Sequence, residues 1–489
     1  MPTPEQILND VFGFSSFRGK QKEIIDRLLT DKKHTMVLMP TGGGKSLCYQ
    51  VPALCLEGGT LVISPLIALM QDQVEALKRK NIAAAYINST VSKEDREKRL
   101  RRFVSGEIKL LYVTPERFRK PEFVEKIKTA KIDLLAVDEA HCISEWGHDF
   151  RPDYSRLGEF RDLLGNPLTI ALTATATPQV QHDIVEKLHL KPEDMKIISE
   201  GIRRKNLRLE ALEIWNEKSK QDAILKTIAE YKGSGIIYFS LISTLEKFSE
   251  WLETKQVRHS VYHGKLQDRQ RNQTLTNFIK GNTQLILATN AFGMGIDKAD
   301  IRFVIHAETP GSIESYYQEI GRAGRDGEPS LCLLLYSQDD LAIQHEFVRW
   351  ANPSSEFYYR LHQILSHYQM EVNGMGIEYL REQMHFKNKK DFRIETALNL
   401  LDRYGVISGS LEKHDLEVVD EIPPQLEDEK YLKEKFSRDQ NKLYSIVSYV
   451  RDEKCRRVMI EHYFGFPDME NCGNCDVCDE SVSKMSDDE

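Results

Sequence analysis

Apolar runs recur along the first 200 residues, each closing in a polar or glycine-containing loop, and most lead into a segment of helical spacing. The runs HTMVLMP (34–40), TLVISP (60–65), KLLYVTP (109–115), IDLLAVDE (132–139) and LTIALTAT (168–175) predict strands. They are nearly continuous rather than alternating. Strands of that kind, alternating with helices, predict a parallel sheet covered on both faces. The pattern restarts near residue 205 with SGIIYFS (234–240), HSVYHG (259–264), TQLILATN (283–290), FVIHAE (303–308) and SLCLLLY (330–336). Two α/β domains of similar size follow, joined near Glu200–Asn206.

After Gln338 the alternation stops. Three helical patterns come next, EFYYRLHQILSHYQM, IEYLREQMHF and FRIETALNLLDRYGVI, then a β-like pair in ISGSLEKHDLEVVD. Three helices and a wing predict a winged-helix-like module; a small helical spacer is the plainer alternative. The segment EIPPQLEDEK marks a boundary by its paired prolines and acidic run. A long helical stretch then leads into a cysteine cluster, and the tail SVSKMSDDE is expected to be disordered. The expected division is 1–203, 204–345, 346–425, 426–481 and a tail at 482–489.

With 40% hydrophobic and 29% charged residues in 489, the chain has the make-up of a globular protein with several cores. It has no apolar run long enough for a membrane span, and its first residues lack a basic segment followed by an apolar one. A cytoplasmic protein without membrane contact is expected, nucleoid-associated if bacterial. The net charge of −8 argues against coating nucleic acid without selectivity, but leaves room for a local basic groove.

Chemistry concentrates in a few strings. MPTGGGKS follows a strand and precedes a helix, the setting of a phosphate-binding loop. Met39, Pro40, Thr41, Gly42, Gly43 and Gly44 would wrap phosphate oxygens with backbone N–H groups, Lys45 would reach the β- and γ-phosphates, and Ser46 would hold Mg²⁺. Asp138 and Glu139 end the fourth predicted strand, where one carboxylate can hold Mg²⁺ and the next can polarise a water. In QEIGRAGR, Arg322 and Arg325 are three apart and are expected on one helix face. Arg325 would act as an arginine finger and Arg322 would contact phosphate; exposed helical arginines are the alternative.

Directly after the carboxylates comes HCISEWGHDFRPDY. Trp146 and Phe150 can stack on any base, and Arg151 can add a phosphate or cation–π contact. Ordinary core packing is the competing account for Phe150 and Tyr154. Of eight cysteines, Cys48, Cys55, Cys142 and Cys332 read as small buried hydrophobes. Cys455, Cys472, Cys475 and Cys478 cluster, and four thiolates suit zinc or an iron–sulfur centre.

Taken in order, these strings resemble superfamily 2 helicases, and within them the RecQ family, over about residues 10–480. FRGKQ resembles the adenine-recognition motif, with Gln21 as base reader and Arg18 nearby. SPLIALMQDQV and VTPER resemble strand-contacting motifs, and ALTATAT the motif coupling hydrolysis to domain movement. ATNAFGMGIDKADIRFVIH and YYQEIGRAGRDG resemble second-domain motifs. The resemblance implies two RecA-like motor domains, followed by the winged-helix-like module and a small zinc-binding helical module. It implies ATP, Mg²⁺ and Zn²⁺, the last on the four clustered cysteines, with His141 and the aromatic residues linking DNA to hydrolysis. The implied activity is ATP-dependent 3′ to 5′ unwinding of DNA in repair or recombination. Implied partners are single-stranded and duplex DNA and single-strand-binding or repair proteins, met by a monomer. The chain ends eleven residues after Cys478, so a short form without C-terminal winged-helix and HRDC domains is expected. An RNA helicase and a non-catalytic DNA-binding scaffold are the rivals.

Overall fold

The computed structural model describes residues 2–40, 42–145, 147, 150–293, 298–385, 391–467 and 469–479. Thirteen strands build two parallel sheets. In the first are β1 (His34–Leu38), β2 (Gly59–Ile63), β3 (Ala84–Ile87), β4 (Leu110–Val113), β5 (Ile132–Val137), β6 (Leu168–Thr173) and β7 (Met195–Ser199), in the order β3-β4-β2-β5-β6-β1-β7. In the second are β8 (Leu207–Glu213), β9 (Ser234–Tyr238), β10 (Ser260–Tyr262), β11 (Leu285–Ala288), β12 (Ile301–His306) and β13 (Ser330–Tyr336), in the order β10-β11-β9-β12-β13-β8.

The continuous apolar runs are explained by burial on two faces. Met36, Leu38, Leu61 and Ile63 pack into one core, while Val37, Met39 and Val62 pack into another on the opposite face. Successive side chains on a strand point to opposite faces, so both phases must be apolar. Three edge or near-edge strands were not in the sequence reading. IAAAYI around β3 is alanine-rich, and β7 and β8 carry charges such as Lys196, Arg208 and Glu210. The carboxylates Asp138 and Glu139 therefore follow the fifth strand, not the fourth, because β3 precedes them.

The chain forms two compact units. One comprises Met1–Glu308, Glu314–Tyr336 and Asp452–Glu489; the other comprises Thr309–Ile313 and Ser337–Arg451. The segment 426–481, expected as one zinc-binding module, is thus shared between them. The long helix expected to run into Cys455 breaks: one helix spans Glu429–Arg451, another Arg456–Tyr463, and Cys455 is the N-cap of the second.

The second unit contains the expected three helices, Ser355–His367, Ile377–Gln383 and Arg393–Tyr404, followed by the antiparallel pair β14 (Ile407–Ser408) and β15 (Glu417–Val418). Leu361, Leu365, Leu380, Ile394, Leu401 and Ile407 close a core of their own. The wing and the stretch just after it carry Glu412, Asp415, Glu417, Asp420 and Glu421 against Lys413. Among the described residues no helix is long and apolar enough to cross a membrane.

Candidate functional site

The loop after β1 turns back on itself because Gly42 and Gly44 adopt left-handed backbone conformations, with φ of +83° and +79°. Gly43 N–H donates to Pro40 O at 3.0 Å, and Ser46 caps the helix Leu47–Cys55. Thr41 lies outside the described residues. Lys45 Nζ donates to Met39 O at 3.1 Å, so its ammonium is held over the mouth of the loop. Gln21 is buried and spans between two neighbours. Its Oε1 accepts from Arg18 N–H at 3.0 Å and its Nε2 donates to Gly43 O and Gly44 O, each at 3.3 Å. A Cβ at Gly44 would stand 2.5 Å from that amide and would push it aside, at a φ of +79° that already favours glycine. The Arg18 side chain is exposed.

Asp138 and Glu139 follow β5. Glu139 has a left-handed φ of +47°, and its N–H donates to Asp138 Oδ1 at 3.1 Å. Burial, then the Glu139 carboxylate, push the Asp138 carboxyl up to about 7, with Lys45 pulling the other way. Two carboxylates and a serine hydroxyl near an ammonium form an oxygen-rich set that fits a hard divalent cation. Such a cation would keep both carboxylates ionised. Glu139 Oε2 lies 3.4 Å from His141 Nδ1, and the same nitrogen meets Thr173 Oγ1 at 3.0 Å. Thr173 Oγ1 in turn accepts from Thr175 N–H at 3.1 Å. His141 therefore stands between the Glu139 carboxylate and the TAT turn after β6.

The second half contributes Arg325. A Cβ at Gly42 would meet Arg325 Cγ at 3.5 Å, so this side chain packs directly on the phosphate loop. The expected helix face for the two arginines is not formed: the helix Ile313–Ile320 ends first, and both lie in the turns that follow. Gly321, Gly324 and Gly327 break the helical pattern. Arg322 is buried and donates to Gly293 O within its own half.

That turn is held by residues the sequence reading treated only as a join. Arg204 Nη2 donates to Ala323 O at 2.8 Å and Gly324 O at 2.6 Å, and Asn206 Nδ2 donates to Gly324 O at 2.8 Å. Gly324 has φ +53°, and a Cβ there would lie 2.4 Å from Asn206 Nδ2. The signal was the pair of arginines and the asparagine in GIRRKN, which a merely flexible linker does not need.

Trp146, His148 and Asp149 fall outside the described residues. The rest of the aromatic segment is anchored at both ends. Arg151 Nη1 donates to Pro65 O at 3.1 Å, reaching the loop after β2. Asp153 is buried and takes two bonds from Arg119, at 2.6 and 2.5 Å. Tyr154 is core, fully buried, and its hydroxyl donates to Asp138 O at 3.1 Å. Phe150 is partly exposed. The strand-contacting and coupling strings read from the sequence share a further feature, together with Asn88, which was not among them. Ser64 Oγ, Asn88 Nδ2, Arg117 Nε and Thr175 Oγ are buried without a hydrogen-bond partner, and they follow β2, β3, β4 and β6 at one end of the sheet. Buried polar atoms of this kind call for a partner from outside the chain, a water, an ion or a ligand.

The four clustered cysteines converge, with sulfurs all within 4.8 Å of one another. A tetrahedron with 2.3 Å zinc–sulfur bonds needs sulfurs about 3.8 Å apart, so the set fits zinc. Backbone N–H groups of Cys472 and Asn474 donate to Cys455 Sγ and Cys472 Sγ, both at 3.3 Å, as thiolate ligands require. The knuckle is docked on edge strand β8: Asp476 N–H donates to Leu209 O at 3.1 Å, and Ala211 N–H donates to Asp476 Oδ2 at 3.1 Å. Glu461, buried in the helix Arg456–Tyr463, receives Arg203 in two bonds of 2.7 Å.

Three family models match: the DEAD/DEAH box helicase over 18–184, the helicase conserved C-terminal domain over 219–327, and RecQ zinc-binding over 417–479. An ATP-dependent DNA helicase RecQ of a Synechocystis strain is 33% identical over 492 aligned positions, covering 97% of this chain and 98% of the relative. The chain belongs to the RecQ family. A second RecQ helicase, from Bacillus subtilis, is 46% identical over 342 residues, 70% of this chain and 57% of that protein. The chain thus spans little more than half the length of several curated RecQ relatives it matches. Residues 328–416 lie outside all three family models. Among solved structures, the helicase Lhr of Mycobacterium smegmatis bound to single-stranded DNA and AMP-PNP aligns with a TM-score of 0.52 and 18% identity. It covers 85% of this RecQ chain and 60% of its own, a likeness of fold.

Proposed function

We propose that this chain is an ATP-dependent DNA helicase that moves 3′ to 5′ on single-stranded DNA and separates duplex strands in repair or recombination. The contact of Arg325 with Gly42 carries the reading. A triphosphate seated in the loop would be enclosed by groups from both halves, so its hydrolysis would change what holds the halves together.

The division of labour follows from placement. Lys45 would leave Met39 O for the β- and γ-phosphates. Mg²⁺, held by Ser46 and Asp138, would offset charge on the phosphate oxygens. Glu139 would orient the attacking water, and Arg325 would stabilise charge on the transferring group. His141, between Glu139 and Thr173, couples that carboxylate to the TAT turn. Loss of the γ-phosphate removes the partner of Arg325 and frees the halves to part, the motion that turns hydrolysis into stepping. Trp146 and Phe150 would stack on bases, with Arg151 holding their segment to the loop after β2. Single-strand-binding or repair proteins as partners, and action as a monomer, belong to the same proposal. The acidic wing weighs against a duplex grip through the wing itself, because phosphate repels its carboxylates.

The test is unwinding of tailed duplexes of each polarity, with ATP turnover measured beside single-stranded DNA and RNA. Unwinding from a 3′ tail and stimulation by DNA are expected. Equal stimulation by RNA would favour an RNA helicase, and absence of turnover a scaffold.

A further inference from the structure

Resting on the helicase reading, we propose that Arg204 and Asn206, in the link between the motor halves, are positioning residues for ATP hydrolysis: they set the turn that bears Arg325 and so direct its guanidinium to the transferring phosphate. Their bonds converge on both sides of Arg325. Before it, Arg204 Nη2 donates to Ala323 O and Gly324 O, and Arg204 Nη1 donates to Gly321 O at 3.5 Å. Asn206 Nδ2 donates to Gly324 O and also, at 2.9 Å, to Glu328 O, so one amide ties the two ends of the turn together. Ser330 N–H donates to Asn206 O at 2.9 Å, which seats the link beside the start of β13.

A helix cap alone does not account for these bonds. An α-helix ends in carbonyls that its own ladder leaves over, and a cation suits that end, so Arg204 fits the close of the helix Ile313–Ile320. A cap has no use for a bond beyond Arg325, yet Asn206 makes one to Glu328. Arg204 is also half-buried, and burial pushes its guanidinium below its ordinary value. The oxygens that its Nη atoms meet are carbonyls, so the fork supplies direction: a planar guanidinium fixes the angle of each carbonyl it holds.

The turn is tied to its own sheet as well, Gly324 N–H donating to Ile301 O at 2.8 Å. That bond places it over the second sheet and says nothing of the phosphate loop. The link does, because its other end belongs to the first half. Glu200 N–H donates to Leu38 O at 3.1 Å, on the strand that runs into the loop, and Glu200 Oε1 accepts Lys20 N–H at 2.5 Å in the FRGKQ string. From Glu200 to Arg204 the chain spans at most about 14 Å when extended. Arg204 and Asn206 thus refer the turn of Arg325 to the strand that feeds the loop.

The experiment uses the full chain with Arg204→Ala, Arg204→Lys, Asn206→Ala and Arg325→Ala, and Arg203→Ala as a control whose side chain holds Glu461 instead of the turn. The kcat and KM for ATP are measured with saturating oligothymidylate, the Kd of a fluorescent ADP separately, and Tm for each variant. Arg204→Ala should lower kcat about a hundredfold while KM and Kd move less than about twofold, as for a group misplaced by a fraction of its reach. Arg204→Lys, with the charge but not the fork, and Asn206→Ala should each cost about tenfold. Arg203→Ala should lower Tm and leave kcat within about twofold. The deciding variant is Arg204→Ala/Arg325→Ala, which should be no slower than Arg325→Ala alone, because Arg204 acts through that side chain. A further loss in the Arg325→Ala background overturns the proposal. So does a rise in KM or Kd with kcat kept, a full kcat in both Arg204→Ala and Asn206→Ala, or an equal fall in kcat for Arg203→Ala. If Arg204→Ala is too unstable to assay, Asn206→Ala and its double with Arg325→Ala decide by the same rule. A wild-type protein without ATP turnover, or an Arg325→Ala variant as fast as wild type, overturns the helicase reading and this one with it. The expected Arg325 effect with an additive Arg204 loss overturns this one alone.

Discussion

The two motor halves share an architecture and divide the work unequally. In the first, the residues expected to do chemistry stand in loops that follow strands: Lys45 after β1, Asp138 and Glu139 after β5, the TAT turn after β6. The second has a sheet of the same kind, sets Arg325 against the loop, and spends its own edge strand β8 on seating the cysteine knuckle. Repeating a fold does not repeat its chemistry. One half is organised around reactive groups, the other around holding a single cation at the right place.

The comparison breaks most visibly at the cation each half brings to the loop. Lys45→Ala should remove ATP turnover, a loss of at least about a thousandfold, with the fold intact by circular dichroism. Arg325→Ala should lower kcat by about a thousandfold while nucleotide affinity changes little, because the finger serves the transition state. A large rise in the nucleotide Kd with kcat preserved would show Arg325 to be a binding residue instead. Cys472→Ser should release zinc and cost the second half several kcal/mol, read as a lower Tm. If DNA-free ATP turnover at low temperature fell as far as stability did, the division between reactive and supporting halves would be wrong. Trp146→Ala should leave nucleotide binding alone and cost about 1–3 kcal/mol of single-strand affinity, with DNA stimulation reduced accordingly. A variant stimulated as strongly as wild type would remove the aromatic segment from the coupling.

Much of this was legible in the chain because both phases of a doubly covered strand must be apolar. That rule found ten of the thirteen sheet strands in order and missed β3, β7 and β8, where an edge lets alanine or charge intrude. The phosphate loop, the carboxylates and the cysteines were legible because each chemistry demands residue types at fixed spacing. Side-chain direction was not. Spacing put Arg322 and Arg325 on one helix face, but the helix ends at Ile320, just before Gly321, and one arginine turns to Gly293 and the other to Gly42. The interleaved charges around Tyr154 favour an exposed edge, with core packing as the alternative, and the structure has it in the core. Only its burial under Asp138 decides, and that is a tertiary fact. Arg204 and Asn206 lie in a stretch whose importance depends on a turn more than a hundred residues away.

Those last two residues have a mechanical consequence. The covalent link between the halves is also the cradle of the turn that bears Arg325, since Arg204 and Asn206 grip its carbonyls while Arg203 next door grips Glu461. On the proposed function, a rotation about the link would therefore rotate the cradle as well and carry the cation at its tip with it. Opening the halves would then withdraw Arg325 from the loop in the same movement.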